Sequence, residues 1–175
     1  MAILDIVTFP DPFLRLKAKA VKKFDKDLQD LIDNMFETMS NEPGVGLAAP
    51  QIGQSLRLVV VEYAEEPEEE GAPAPKPKRY VLVNPEIVER SEEMVEGMEG
   101  CLSVPGLMGK VNRHEAVTVK AQTRHGKPQK VKAQGWMARI IQHEMDHLDG
   151  VLYIDRASEI YEPVSDEDDQ DETQE

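Results

Sequence analysis

The 175-residue chain is 40% hydrophobic and 31% charged, the proportions of one globular domain with room for a real core. No apolar run approaches the length of a membrane span, and the lone Cys101 excludes an internal disulfide framework. The net charge of −14 argues against a broad nucleic-acid footprint. Much of that excess sits in two blocks, EEPEEE at 65–70 and SDEDDQDETQE at 165–175, and the remainder is close to balanced.

The opening stretch MAILDIVTFPDPF carries Asp5 and two prolines but no basic segment, so it does not read as a secretory signal. With a single thiol, the expected location is the reducing cytoplasm. The first periodic element is a helix over about 25–41. Leu28, Leu31, Ile32, Met35, Phe36 and Met39 line one face, Asp25 is its N-cap, and Pro43 and Gly44 stop it. Glycines and Pro50 forbid a regular helix in GVGLAAPQIG, and RLVVVEY reads as a buried strand. A Pro- and Glu-rich loop over 64–79 separates it from YVLVNP, a second strand expected to pair with the first. EIVERSEEMVE is a weaker strand candidate, and AVTVKAQTRHGKPQKVKAQG reads as a hairpin turning at HGK. A last helix spans about 135–148 and stops at Gly150. VLYIDR after it reads as a short strand. The expected architecture is α+β: mostly antiparallel strands around a central C-terminal helix, plus one N-terminal amphipathic helix. One domain fills 1–162, and an acidic, disordered tail fills 163–175.

The last helix carries QHEMDHLDG. His143 and His147 lie four apart and so share one face, where two imidazoles can converge on one ion. Glu144 is rotated away from them and can instead reach a water held by that ion, which is the logic of the H-E-x-x-H pattern. Apolar flanks at Ile140, Ile141 and Leu148 place the pair on a packed helix, where purposeless histidines would carry a desolvation penalty. A catalytic site of this type needs a third protein ligand. Little chain follows His147, and the third histidine of the extended metzincin motif is absent, so the ligand has to come from upstream. Cys101 in EGCLSVPG is the best donor there; an inert buried cysteine is the alternative. His114 and His125 are weaker candidates, His125 because it sits in the hairpin turn.

Three blocks in this order, GVGLAAPQIG at 44–53, EGCLSVPG at 99–106 and QHEMDHLDG at 142–150, make the chain closely resemble the peptide deformylases over about 3–156. The resemblance implies Cys101, His143 and His147 as ligands of one divalent ion, with water in the fourth position. Fe²⁺ is the implied native metal, and Zn²⁺, Ni²⁺ or Co²⁺ are alternatives. It implies hydrolysis of the formyl group from formyl-methionyl peptides, with Glu144 moving the proton. Gln51 and the backbone N–H of Leu102 would hold the developing oxyanion. Gly46 and Gly100 would bond the peptide main chain, while Val45, Leu102 and Ile140 line the methionine pocket. Glu99 and Arg113 match an ion pair supporting the ligand loop. The implied partners are formylated nascent chains near the ribosome, with neither nucleic-acid readout nor membrane. Many relatives end in a basic helix implicated in ribosome docking; the acidic tail here makes that docking mode doubtful. The loop over 64–79 also looks longer than usual. Two other readings are a metallopeptidase that cuts unblocked peptides and a peptide-binding domain without catalysis.

Overall fold

Asp25 opens the first helix in the computed structural model, which describes residues 2–65 and 67–163. Its side chain accepts from Leu28 N, and α1 (Lys26–Ser40) buries Leu28, Ile32, Met35, Phe36 and Met39. These are the positions that a 3.6-residue period brings to one face. A short strand β1 (Gly46–Ala48) leads into a 3₁₀ turn (Ala49–Ile52), then into β2 (Leu58–Tyr63) and β3 (Lys78–Arg90). Next come the paired strands β4 (Met94–Cys101) and β5 (Val104–His114) and the hairpin of β6 (Ala116–Gln122) and β7 (Pro128–Gln134). Helix α2 (Gly135–Leu148), a one-turn helix α3 (Tyr153–Arg156) and β8 (Glu159–Tyr161) complete the described chain.

The strands form two antiparallel sheets, one in the order β1-β2-β3-β6-β7 and one in the order β4-β5-β8. Strand β2 explains the layering. Leu58 and Val60 join α1 in one core, whereas Val59 and Val61 join α2 in another. A strand covered on both faces reads as a continuous apolar run, which is what LVVV is. On the other side of α2, Leu14, Val104, Val111, Leu152 and Tyr153 form a third cluster on the smaller sheet. Helix α2 is thus packed between the two sheets, with His143, Glu144 and His147 all buried.

Several boundaries differ from the sequence reading. VLYIDR is not a strand: Asp155 accepts from Leu152 N, and the chain coils into α3. EIVERSEEMVE is not one element but the end of β3, a break at Ser91–Glu93 held by Ser91 Oγ on Glu93 O, and the start of β4. Asn84, with φ 50°, sits at the irregularity that lets β3 run on to Arg90, and its side chain pairs with both backbone groups of Val21. Lys78 and Arg79 belong to β3, so the connection from β2 is 64–77. The acidic tail, from 164 onward, lies outside the described residues.

Candidate active site

Helix α2 presents His143 and His147 one turn apart, with ring centroids 5.3 Å apart. Cys101 closes β4 where the β4–β5 register shifts, and that irregularity turns its sulfur toward the helix. Cys101 Sγ lies 3.4 Å from His147 Nε2. The ligand atoms of Cys101, His143 and His147 all lie within 4.8 Å of one another. Neither of the weaker candidates joins them: His114 Nδ1 is 2.8 Å from Ser91 O, and His125 is exposed in the β6–β7 turn.

The orientation of this cluster comes from charged side chains beneath it. Glu99 Oε1 is 2.7 Å from His143 Nδ1. An ionised carboxylate only accepts, so Nδ1 carries a proton and donates it to Glu99. Glu99 itself accepts two bonds from Arg113, at 2.9 Å each, and a third from Arg139 at 2.7 Å. Burial works against its charge, but the hydrogen bonds from Arg113 and His143 outweigh burial and hold its pKa at about 2. Burial also works against a charge on His143. Hydrogen bonds to Cys101 and Glu99, with Glu144 nearby, outweigh it and lift the pKa to about 10. His147, by contrast, is pushed well below its ordinary value by burial and by the neighbouring His143 and Arg113. One thiolate and two imidazoles are a donor set that fits a divalent transition metal.

Glu144 completes the helix face. Its Oε2 is buried without a hydrogen-bond partner among the described residues. Burial raises its pKa to about 7, helped by Glu99 and Asp146 and opposed by His143 and Arg113. A carboxyl group near neutrality is suited to taking and returning a proton. Gly46 makes room for it, since a Cβ there would stand 2.8 Å from Glu144 Cγ. Gln51, in the 3₁₀ turn, has its Oε1 fixed by Ala48 N at 2.9 Å. Its Nε2 is thereby aimed at Cys101 Sγ (3.5 Å) and Ser103 Oγ (3.2 Å).

A cleft of about 660 Å³ opens onto these groups. Val45, Gly46, Gly100, Leu102 and Ile140 line it together with Gln51, Glu99, Cys101, His143 and Glu144. The sequence reading missed Met98, Trp136 and Arg139 on its wall, and Tyr153, whose ring stacks on His143 at 5.8 Å. Arg139 carried a usable signal, because it precedes His143 by the same four residues that separate the two histidines. A larger cavity of about 790 Å³, beside Tyr63, Tyr80 and Lys132, has neither cysteine nor histidine in its lining.

The fold and this site define a metal-dependent hydrolase built on antiparallel sheets. The polypeptide deformylase family model matches residues 3–162. A peptide deformylase of Symbiobacterium thermophilum is 48% identical over 172 residues, covering 98% of this chain and 74% of the relative. That of Natranaerobius thermophilus is 47% identical, covering 92% of this chain and 96% of the relative. Among solved structures, a peptide deformylase from Legionella pneumophila superposes with a TM-score of 0.79 at 47% identity, covering 90% of this chain and 87% of the other. That from Thermotoga maritima superposes at 0.80 and 40% identity, covering 91% and 100%. The chain belongs to the polypeptide deformylase family, metal-dependent enzymes that remove the N-terminal formyl group from nascent polypeptides. Among the described residues, no helix is long and apolar enough to cross a membrane.

Proposed function

We propose that the deformylase reaction of this chain runs on the α2 face, in one catalytic domain over 1–162, with Cys101, His143 and His147 holding one divalent ion, natively Fe²⁺. The observation that carries this reading is the meeting of those three ligand atoms within 4.8 Å, beside a buried carboxylate oxygen of Glu144 that has no partner among the described residues. A divalent ion so held supplies Lewis acidity, which eases deprotonation of water and polarises a formyl oxygen.

The remaining work falls to side chains. Glu144 takes the proton from the attacking water as its oxygen bonds the formyl carbon. The carbon–nitrogen bond then breaks, Glu144 returns the proton to the leaving amine, and formate and a free amino terminus result. Gln51 Nε2 and the backbone N–H of Leu102 donate to the oxygen on which charge develops. Val45, Leu102 and Ile140 surround the methionine side chain, and Gly46 and Gly100 bond the peptide main chain as an added strand does. Glu99, clamped by Arg113, holds His143 by its Nδ1 proton. The substrates are nascent chains met close to the ribosome.

Formate release from a formyl-Met-Ala peptide, compared with cleavage of the same peptide unblocked, tests the reading. Release from the formylated peptide alone is expected. Cleavage of the unblocked peptide alone would refute it.

A further inference from the structure

Glu99 has more partners than holding one histidine requires. Its Oε1 accepts from Arg113 Nη2 and faces His143 Nδ1. Its Oε2 accepts from Arg113 Nε and from Arg139 Nη1. Arg113 is also shared with Asp146, at 2.6 Å. Asp146 is bonded from outside by Arg156, and Glu99 takes its second guanidinium, Arg139, from inside.

Arg139 is 6% exposed and does more than neutralise. Nη1 also donates to Val111 O at 2.9 Å, and Nη2 donates to Val95 O at 2.7 Å. One side chain of α2 therefore ties β4, β5 and Glu99 to the helix. Gly97 is its cradle: a Cβ there would stand 2.8 Å from Arg139 Cζ. Along α2, Arg139, His143 and His147 fall at i, i+4 and i+8, on one ridge. Burying a guanidinium is costly unless it is fully paired. An apolar side chain would fill this space without that cost, so the pairing itself calls for a role.

We infer that Arg139 is a positioning residue for the metal site: it fixes the tilt of Glu99 on the Arg113 fork, and through Glu99 the ring plane of His143. The inference rests on the reading of Cys101, His143 and His147 as ligands. Arg113 alone holds Glu99 by one planar fork, about which the carboxylate can rock. Arg139 removes that freedom by bonding Oε2 from the helix that also carries His143. Partners that bond a metal ligand directly change metal retention by about 10-fold or more, and Arg139 acts on such a partner, Glu99.

The test uses the full chain loaded with Co²⁺, whose visible bands report ligand geometry, and measures the rate of metal loss to a chelator. Arg139→Met is expected to release Co²⁺ about 10-fold faster than the parent and to shift the bands. Arg139→Lys keeps a cation near Glu99 but loses the fork to the two carbonyls, and is expected to restore part of the retention. Gly97→Ala keeps the Arg139 side chain but forces its guanidinium to shift, and is expected to move release in the same direction as Arg139→Met. Parent-like release and bands in Arg139→Met, whatever its melting temperature, would overturn the inference. Should that variant not fold, parent-like release from Gly97→Ala would do the same. Cys101→Ala separates the two readings. If it holds Co²⁺ as the parent does, the ligand assignment fails; if it loses the ion while Arg139→Met does not, only the role of Arg139 fails.

Discussion

The two sides of α2 are held together by different forces. Toward the larger sheet, Ile141, Met145 and Leu148 meet Val59, Val61, Leu82 and Val119, and beyond that sheet α1 adds a second wholly apolar layer. Toward the smaller sheet, the helix meets β4 and β5 through Arg139, Glu99, Arg113 and Asp146, all in charged hydrogen bonds. Apolar contact is strong and tolerant of direction. Charged hydrogen bonds add less net stability but fix angles. The first side supplies the free energy that keeps α2 in place, and the second sets the direction of His143.

That contrast breaks most visibly at Glu144. Replacing it with Gln keeps the shape and removes the proton acceptor, so kcat is expected to fall by about 10³-fold. The melting temperature should stay near that of the parent. Formate-release kinetics and thermal melts on one preparation check both halves. A large loss of stability would mean that the charged side also carries the fold.

The converse substitution lies in the apolar region. Ile32 is fully buried on α1, and Ile32→Ala is expected to cost about 2–5 kcal/mol of stability. The kcat of the folded fraction should not change. Denaturant unfolding with parallel activity assays measures this, and a lowered kcat per folded molecule would show that α1 packing reaches the site.

A smaller effect belongs to a partly exposed ion pair outside both sides of α2. Arg15 Nη2 donates to Asp155 at 3.0 Å. That hydrogen bond holds the Asp155 carboxyl below its ordinary pKa, against the opposing effect of partial burial. A carboxylate with a depressed folded pKa contributes stability above its unfolded value and loses it as the pH falls through the folded value. The parent should therefore lose stability below about pH 4 relative to Asp155→Asn, by less than about 1 kcal/mol because the pair is partly exposed. Melting temperatures from pH 3 to 7 give the comparison, and parallel curves for the two proteins would remove the contribution.

The apolar region was readable in the sequence, because burial on one face of α1 and on both faces of β2 leaves a direct periodic trace. The β6–β7 hairpin and the extent of α2 were readable for similar reasons. The β4–β5 hairpin was not. Its strands carry Gly97, Gly100, Gly106 and Gly109, which suggest loop in a sequence. In the fold, Gly97 makes way for Arg139, and Gly109 sits where a Cβ would meet Tyr153 at 3.0 Å. VLYIDR failed for another reason: its apolar run fits a strand, and only the local bond from Leu152 N to Asp155 decides for a helical turn. Of the candidate site, the helix spacing gave two donors and an adjacent carboxylate, and the ordered motifs pointed to Cys101 and Gln51. Of the Glu99 network, the resemblance named only the pair with Arg113; that Arg139 and Asp146 of α2 join it stayed hidden, because Glu99 on β4 and Arg113 on β5 meet the helix only in the fold.

On the proposed reading, Cys101, His143 and His147 hold the ion on which deformylation depends. Metal content and formate release, measured on one anaerobically purified sample of the parent and of Cys101→Ala, test it most directly. The account predicts one divalent ion per chain and formate release in the parent, with both lost in the variant. Undiminished formate release from metal-free Cys101→Ala would contradict it.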